Sequence, residues 1–331
     1  MPADPMKSHV AKTLAHTAPL VGCRFDPTGR FVFAGGEDNK IVRWDLASGA
    51  KIEFTAHDSW VHSLVFSPTG DTLVSGGYDG RLVWWPATAD APMPIRTVDA
   101  HLGWIRSAVL SPDGKLLATC GNDLKVKLWN FADGSLVREM AGHERHVYHV
   151  AFHPDGKQLV SGDLTAKFIH WEVDTGKRVR DFAVASLSKY DAGFMADYGG
   201  PYCLIFSPDG KRLIAGGITN VTNAFAGVGN PILVEIDWES GKDAITHLVK
   251  ATINGKVFGV VLHPEGFLIG ATGGGGGGHL YFWKPDSKDE FHTLNLGNTC
   301  RDLSMHPDML QLATCHHDKN VRIVLMAPKA G

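Results

Sequence analysis

Apolar and polar residues along this chain come in short extended bursts, and the bursts come in sets of four. Within residues 56–94, Val61–Phe66 is a run of strand-forming residues, and Thr72-Leu73-Val74-Ser75 and Leu82-Val83-Trp84-Trp85 are two more. A fourth run covers residues 95–98. Runs this short, rich in β-branched and aromatic residues, predict strands rather than helices. Turn chemistry separates them. Ser67-Pro68-Thr69-Gly70 places proline where φ is fixed and glycine where φ can be positive. Asp79-Gly80 is a hairpin signal. One unit is therefore four antiparallel strands, a to d.

The unit recurs. The x-Pro-x-Gly turn begins at Asp26, Ser67, Ser111, His153, Ser207, His263 and His306, with Met309 replacing glycine in the last copy. Successive prolines lie 41, 44, 42, 54, 56 and 43 residues apart. A period of roughly 40–45 residues with strands between turns predicts a propeller of four-stranded blades. The last repeat supplies three strands, near 299–305, 310–314 and 321–325, while residues 9–14 form a strand ahead of the first repeat. That N-terminal strand is expected to become strand d of the seventh blade, pairing edges that would otherwise stay open. The expectation is an all-β, seven-bladed β-propeller in one domain, 1–331. Its blades cover about 16–56, 57–100, 101–142, 143–185, 200–250, 251–296 and 297–327 plus 7–15.

A second regularity carries a resemblance. His16 to Asp38, His57 to Asp79 and His101 to Asp123 are each 22 residues, and each aspartate lies six before a tryptophan, Trp44, Trp85 or Trp129. With Val42-Arg43-Trp44-Asp45, the chain resembles the WD40-repeat family, most closely over residues 16–172. The resemblance implies buried hydrogen-bonded tetrads, here His57, Ser75, Asp79, Trp85 and His101, Thr119, Asp123, Trp129. Blade one has Ala34 in place of the hydroxyl and blade four has Thr165 in place of the aspartate. Blades five and six lack most of the set, and blade seven keeps Thr314 and Asp318. Repetition at a fixed period marks these His–Asp–Ser groups as structural ties rather than hydrolytic triads.

Composition narrows the function. The net charge of −3, from 32 basic and 35 acidic residues, provides no field to recruit nucleic acid. No apolar stretch reaches membrane-spanning length, and the chain reads as cytoplasmic. The five cysteines form no CxxC pair and read as buried free thiols. Of the 17 histidines, His16, His57, His101 and His143 hold the repeat position. His153, His263 and His306 precede turn prolines, and His316 and His317 point to opposite faces. No metal, cofactor or catalytic residue is assigned.

On such a propeller the d–a and b–c connections share one face, the top. The residue five after the repeat histidine should point to the axis: Val21, His62, Arg106, Tyr148, Tyr202, Phe258 and Arg301. Trp60, Trp104 and His146 stand two residues earlier at the rim, and Tyr78 and Asn122 precede the b–c aspartates. Aromatics mixed with arginine are the composition of binding hot spots. The set would suit an acidic or aromatic-containing peptide, with Arg106 and Arg301 supplying charge-assisted contacts.

Two long connections reach the same face. Residues 183–201 carry Tyr190, Phe194, Met195 and Tyr198, and residues 218–231 carry Phe225. They either cap the propeller or wall a binding site. The glycine run 273–278 reads as a flexible turn, since no helix follows it. The function expected is a non-catalytic scaffold displaying its top face to a protein or peptide. The alternatives are a propeller hydrolase of lactonase type, disfavoured because the axis positions hold no carboxylate, and a purely structural subunit.

Overall fold

Short apolar runs joined by tight turns pair most economically with their neighbours in sequence. The computed structural model, which describes residues 2–223 and 227–329, has that arrangement. Among these residues seven four-stranded antiparallel sheets follow one another, each in the order a-b-c-d. The second blade is typical: Val61–Phe66, Thr72–Gly77, Arg81–Pro86 and Arg96–Asp99. Strands a contact each other in turn, from the first blade round to the seventh and back, so they ring a common axis.

The ring is closed by the N-terminal strand. Ser8–Ala15 pairs antiparallel with Asn320–Met326, from Ser8 against Met326 to Ala15 against Asn320. It completes the blade built from Cys300–Met305 and Gln311–His316. Leu14, Phe25, Val32 and Trp44 meet Ala313, Cys315 and Ile323 in a buried seam there. The other six seams are filled in the same way. All five cysteines are buried free thiols. Among the described residues no helix is long and apolar enough to cross a membrane.

Polar ties lie within the blades. His57 Nε2 meets Ser75 Oγ at 2.8 Å, its Nδ1 meets Asp79 at 3.0 Å, and Trp85 Nε1 donates to the same Ser75 Oγ at 2.9 Å. His101 makes the corresponding bonds to Thr119 and Asp123, at 2.7 and 2.8 Å, and Trp129 donates to Thr119 at 2.9 Å. The fourth blade corrects the expectation built on Thr165. Its carboxylate comes from Asp163, two residues earlier, which meets His143 Nδ1 at 2.8 Å while Ser161 joins His143 and Trp171. In the seventh blade His316 takes the same strand-end position and bonds Thr314 Oγ1 at 2.8 Å, and Asp318 turns away to Arg322. Blade one, with Ala34, keeps only His16 against Asp38, at 3.0 Å.

A second set of ties runs between blades. Arg96, Arg138 and Arg180, on successive strands d, each donate to backbone carbonyls in the next blade's c–d turn: Ala132, then Asp174 and Thr175, then Trp238 and Glu239. Arg96 pairs across strands with Trp84, Arg138 with Leu128 and Arg180 with His170. In blade one that strand-d position is Ile52, and its cross-strand partner Arg43 reaches Ala87 O instead, at 2.6 Å. Lys12 of the closing strand donates to Leu46 O at 2.7 Å. His153, His263 and His306 add bonds from the a–b turns to Gly210 O, Met309 O and Gly29 O of the following blade.

Candidate functional site

The top face is shaped by a repeated irregularity. Strand a of six blades slips register near its start, at the second residue or, in the sixth blade, the third, and the skipped residues are Val21, His62, Arg106, Tyr148, Phe258 and Arg301. A bulge of this kind leaves one residue unpaired and re-aims its side chain. In blade five Tyr202 stands just before Cys203–Phe206 in the corresponding place, its N–H donating to Gly216 O. These side chains converge on the axis. Three contiguous cavities, about 150, 150 and 200 Å³, share His62, Phe258 and Arg301 among their walls. Val21 borders the outermost although it is itself buried.

Aromatic rings form one side of the funnel. Tyr78 and Trp104 stack at 4.2 Å with nearly parallel planes. Trp60 lies 5.9 Å and His62 5.7 Å from Tyr78, both stacked. Trp60 and Trp104 are 38% and 41% exposed, so this stack meets solvent. Arg106 sits 4.7 Å from the Trp104 ring and 4.8 Å from the Tyr148 ring, and its Nε donates to Asn122 Oδ1 at 2.8 Å. Tyr148, Tyr202 and Phe258 continue edge to face at 5.4 and 5.5 Å. His146 stands exposed at the rim.

Several funnel residues escape the five-after-histidine rule. Lys256 lies 4.4 Å from the Tyr202 ring and donates to Tyr198 Oη at 2.9 Å and Tyr202 Oη at 3.2 Å. It stands two residues before Phe258, as Trp60 stands before His62, and that offset would have found it. Glu37 precedes Asp38 as Tyr78 precedes Asp79, and it holds Arg301 at 2.5 Å. Deeper in, Arg24 meets Asp302 at 2.6 Å. Two carboxylates therefore reach the axial cavities or their mouth, although the bulge positions carry none, and each is engaged by an arginine. Among the described residues no three His, Cys, Asp or Glu side chains gather in a set suited to a metal ion.

Burial governs the titrating groups. His62 is held down to about 4, chiefly by burial and then by Arg106, Arg24 and Arg301, and so is neutral near pH 7. His149, which also lines the deepest cavity, is pushed to about 4, again first by burial. Tyr78 and Tyr148 are raised by burial against the opposing pull of Arg106.

The two long connections are hairpins rather than loops. Within 183–201, Ser188–Asp191 pairs with Ala196–Gly199. Residues 218–231 prolong the strands Arg212–Asn223 and Val228–Asp237, still paired at Asn223 and Val228; Phe225 lies outside the described residues. The hairpins meet where Lys189 Nζ donates to Val221 O, and Tyr198 packs on Ile218 and Val221. Tyr198 also accepts from Lys256, so this wall joins the funnel. Tyr190 and Met195 remain exposed. The glycine run is packed rather than loose: a Cβ at Gly278 would lie 1.9 Å from Asn298 O.

Comparison with known proteins agrees with this architecture. Residues 8–45, 50–86, 92–130 and 134–171 match the family model described as WD domain, G-beta repeat. A bromodomain and WD repeat-containing protein of Dictyostelium discoideum is 30% identical over 144 residues, covering 42% of this chain and 6% of that protein. The chain thus corresponds to a small part of that relative's length.

Proposed function

The chain belongs to the WD40-repeat family of β-propellers, and from that premise we propose that it is a non-catalytic scaffold whose top face receives a protein or peptide. One observation carries the choice of face: the Trp60–Tyr78–Trp104 stack, half open to solvent, with Arg106 packed beside it. Large aromatics and arginine at the centre of a patch supply most of the energy in protein interfaces. Here neighbouring rings and hydrogen bonds already hold the side chains, so little receptor entropy is lost on binding. The hairpins at 188–199 and 212–237 extend the surface on one side, with Tyr190 and Met195 as further contact area.

The test is capture of partners by the wild-type chain and by a variant with Trp60, Arg106, Tyr148 and Arg301 all changed to alanine. Thermal melting confirms that both are folded. Loss of capture in the variant supports the top face. Undiminished capture by the folded variant moves the binding surface to blade edges or the opposite face. Turnover of lactones or phosphoesters by the purified chain would overturn the non-catalytic reading.

A further inference from the structure

We infer that the funnel seats one anionic side chain of a peptide, a carboxylate or phosphate, against Arg106 in the cavity that Arg106 and Arg301 both wall, and that His62 takes up a proton as it seats. This rests on the top face being the docking face.

The charge arrangement is the first support. Four cations face the axial cavities or their mouth, and two of them are answered: Asp302 holds Arg24 at 2.6 Å and Glu37 holds Arg301 at 2.5 Å. Arg106 has only the neutral amide of Asn122, and Lys256 only two phenol hydroxyls. Among the described residues, two positive charges therefore stand without a carboxylate in a partly enclosed site. An incoming anion in the cavity gains chiefly from Arg106, and charge-assisted bonds to arginine are the strong ones.

Occupied rings supply the second support. Aromatic faces attract cations, but here the protein's own cations already lie over the rings around the cavity, Trp60 at the outer end of the stack excepted. Arg106 covers Trp104 and Tyr148, and Lys256 covers Tyr202 with Tyr198 and Phe258 at 5.2 and 5.6 Å. A partner's lysine or arginine would meet filled faces and like charge. The space is also small. The compartment bounded by His62, Arg106, Tyr148 and Arg301 is about 150 Å³, below the ~300–1,000 Å³ of a drug-sized ligand site, and is of a size for one side chain.

His62 is the third. The ring lines all three axial cavities, and among the described residues its buried Nδ1 has no hydrogen-bond partner that would hold either protonation state. The charged groups acting on it are Arg24, Arg106 and Arg301, with Tyr78 stacked on its ring and His149 and Asp302 deeper in the same cavity. An anion at Arg106, in a cavity that the His62 ring also lines, would cancel part of the positive field that keeps the ring neutral. Protonation of His62 then becomes easier in the complex than in the free protein. Binding takes up a proton, so affinity rises as pH falls.

The experiment uses the full chain and arrays of degenerate short peptides with one fixed central residue: Glu, Asp, phosphoserine, Gln, Lys or Arg. Acidic pools should be retained at least about tenfold above the Lys, Arg and Gln pools, and the ratio of Glu to phosphoserine signal tells which anion is preferred. Arg106→Gln should abolish the preference and Arg106→Lys should restore part of it. From about pH 7.5 to about pH 5, at constant ionic strength, the Glu pool should bind roughly threefold to tenfold tighter to wild type. His62→Gln should flatten that dependence. Retention of Lys pools, or an acidic preference that survives Arg106→Gln, overturns the anion seat. Equal pH gain in wild type and His62→Gln overturns the proton linkage. Binding that is indifferent to the fixed residue yet lost in Trp60→Ala and Trp104→Ala sinks this inference and leaves the docking face standing.

Discussion

Asp163 meets His143 Nδ1 at 2.8 Å from a strand-end position that is Gly77 in the second blade and Gly121 in the third. The glycine is needed where the carboxylate comes from the following turn. A Cβ at Gly77 would lie 2.4 Å from Asp79 Oδ1 and 2.5 Å from His57 Nδ1. The fourth blade moves the carboxylate onto the strand itself, which leaves Thr165 free to donate its hydroxyl to Asp163. In the seventh blade the same position carries His316, which brings the imidazole rather than the acid.

Asp163→Gly should therefore destabilise the protein by about 2–4 kcal/mol, because it strands a buried imidazole N–H. Adding Thr165→Asp to that variant rebuilds the second-blade arrangement and should recover most of the loss. Urea unfolding of the two variants and wild type checks it. A double variant no more stable than Asp163→Gly would show that the two routes are not equivalent.

Much of this fold is written in turn chemistry. The proline period counts the blades, and the offset from the repeat histidine selects the residues that bulges turn to the axis. Asp163 was not legible because an offset compares positions, whereas a carboxylate can reach one point in space from two backbone sites. Lys256 and Glu37 obey offsets already visible at Trp60 and Tyr78, so their signal was present. The arginines at 96, 138 and 180 recur every 42 residues, yet their acceptors are backbone carbonyls, which no side-chain pattern displays. The hairpin at 188–199 lacks the clean alternation of a half-buried strand, since most of its residues are intermediate or exposed.

Met309 adopts φ +61° where the other x-Pro-x-Gly turns hold glycine, from +70° at Gly156 to +88° at Gly266. A side chain in that region costs about 1–2 kcal/mol, partly offset by the backbone entropy glycine loses on folding. Met309→Gly should stabilise the protein by ~0.5–1 kcal/mol. The reverse change, Gly266→Met, should destabilise by a similar amount, since no atom lies within 4 Å of a Cβ there. Thermal midpoints of the pair decide it, and shifts of the same sign would contradict the account.

Arg180 joins blades four and five through the carbonyls of Trp238 and Glu239, with its guanidinium 5.0 Å from the Trp238 ring and 5.6 Å from Phe182. Arg180→Met keeps the apolar stem and removes the donors. The expected cost is about 1–2 kcal/mol, with faster amide exchange confined to the turn at 237–242. Exchange that rises equally in every blade would argue for a global rather than a seam effect.

Buried histidines set the acid sensitivity. His170 is 8% exposed, lies 4.7 Å from the Trp238 ring, and among the described residues has no hydrogen-bond partner on either ring nitrogen. Burial, then Arg180 and His153, hold it at about 4, against an ordinary value of 6.5; burial likewise brings His316 to about 4. In this range the unfolded chain binds protons that the folded chain refuses. The stability these residues confer is present above pH 6.5 and is lost as pH falls from 6.5 towards 4. Asp79, Asp123 and Asp163 act in a lower window. Burial is the largest single influence and opposes their ionisation, but hydrogen bonds and Coulombic attraction from their histidines, together with backbone N–H donors, hold them below the usual carboxylate range, so their contribution is lost only as pH falls further. His170→Leu places in blade four the residue that blade three has at the equivalent position, Leu128. It should raise stability at neutral pH by about 1 kcal/mol through removal of an unpaired buried N–H. It should also reduce the loss between pH 6.5 and 4 by about 1–2 kcal/mol, allowing for solvent at the seam. Urea midpoints measured across that window give both quantities, and parallel pH curves for variant and wild type would remove His170 from the acid response.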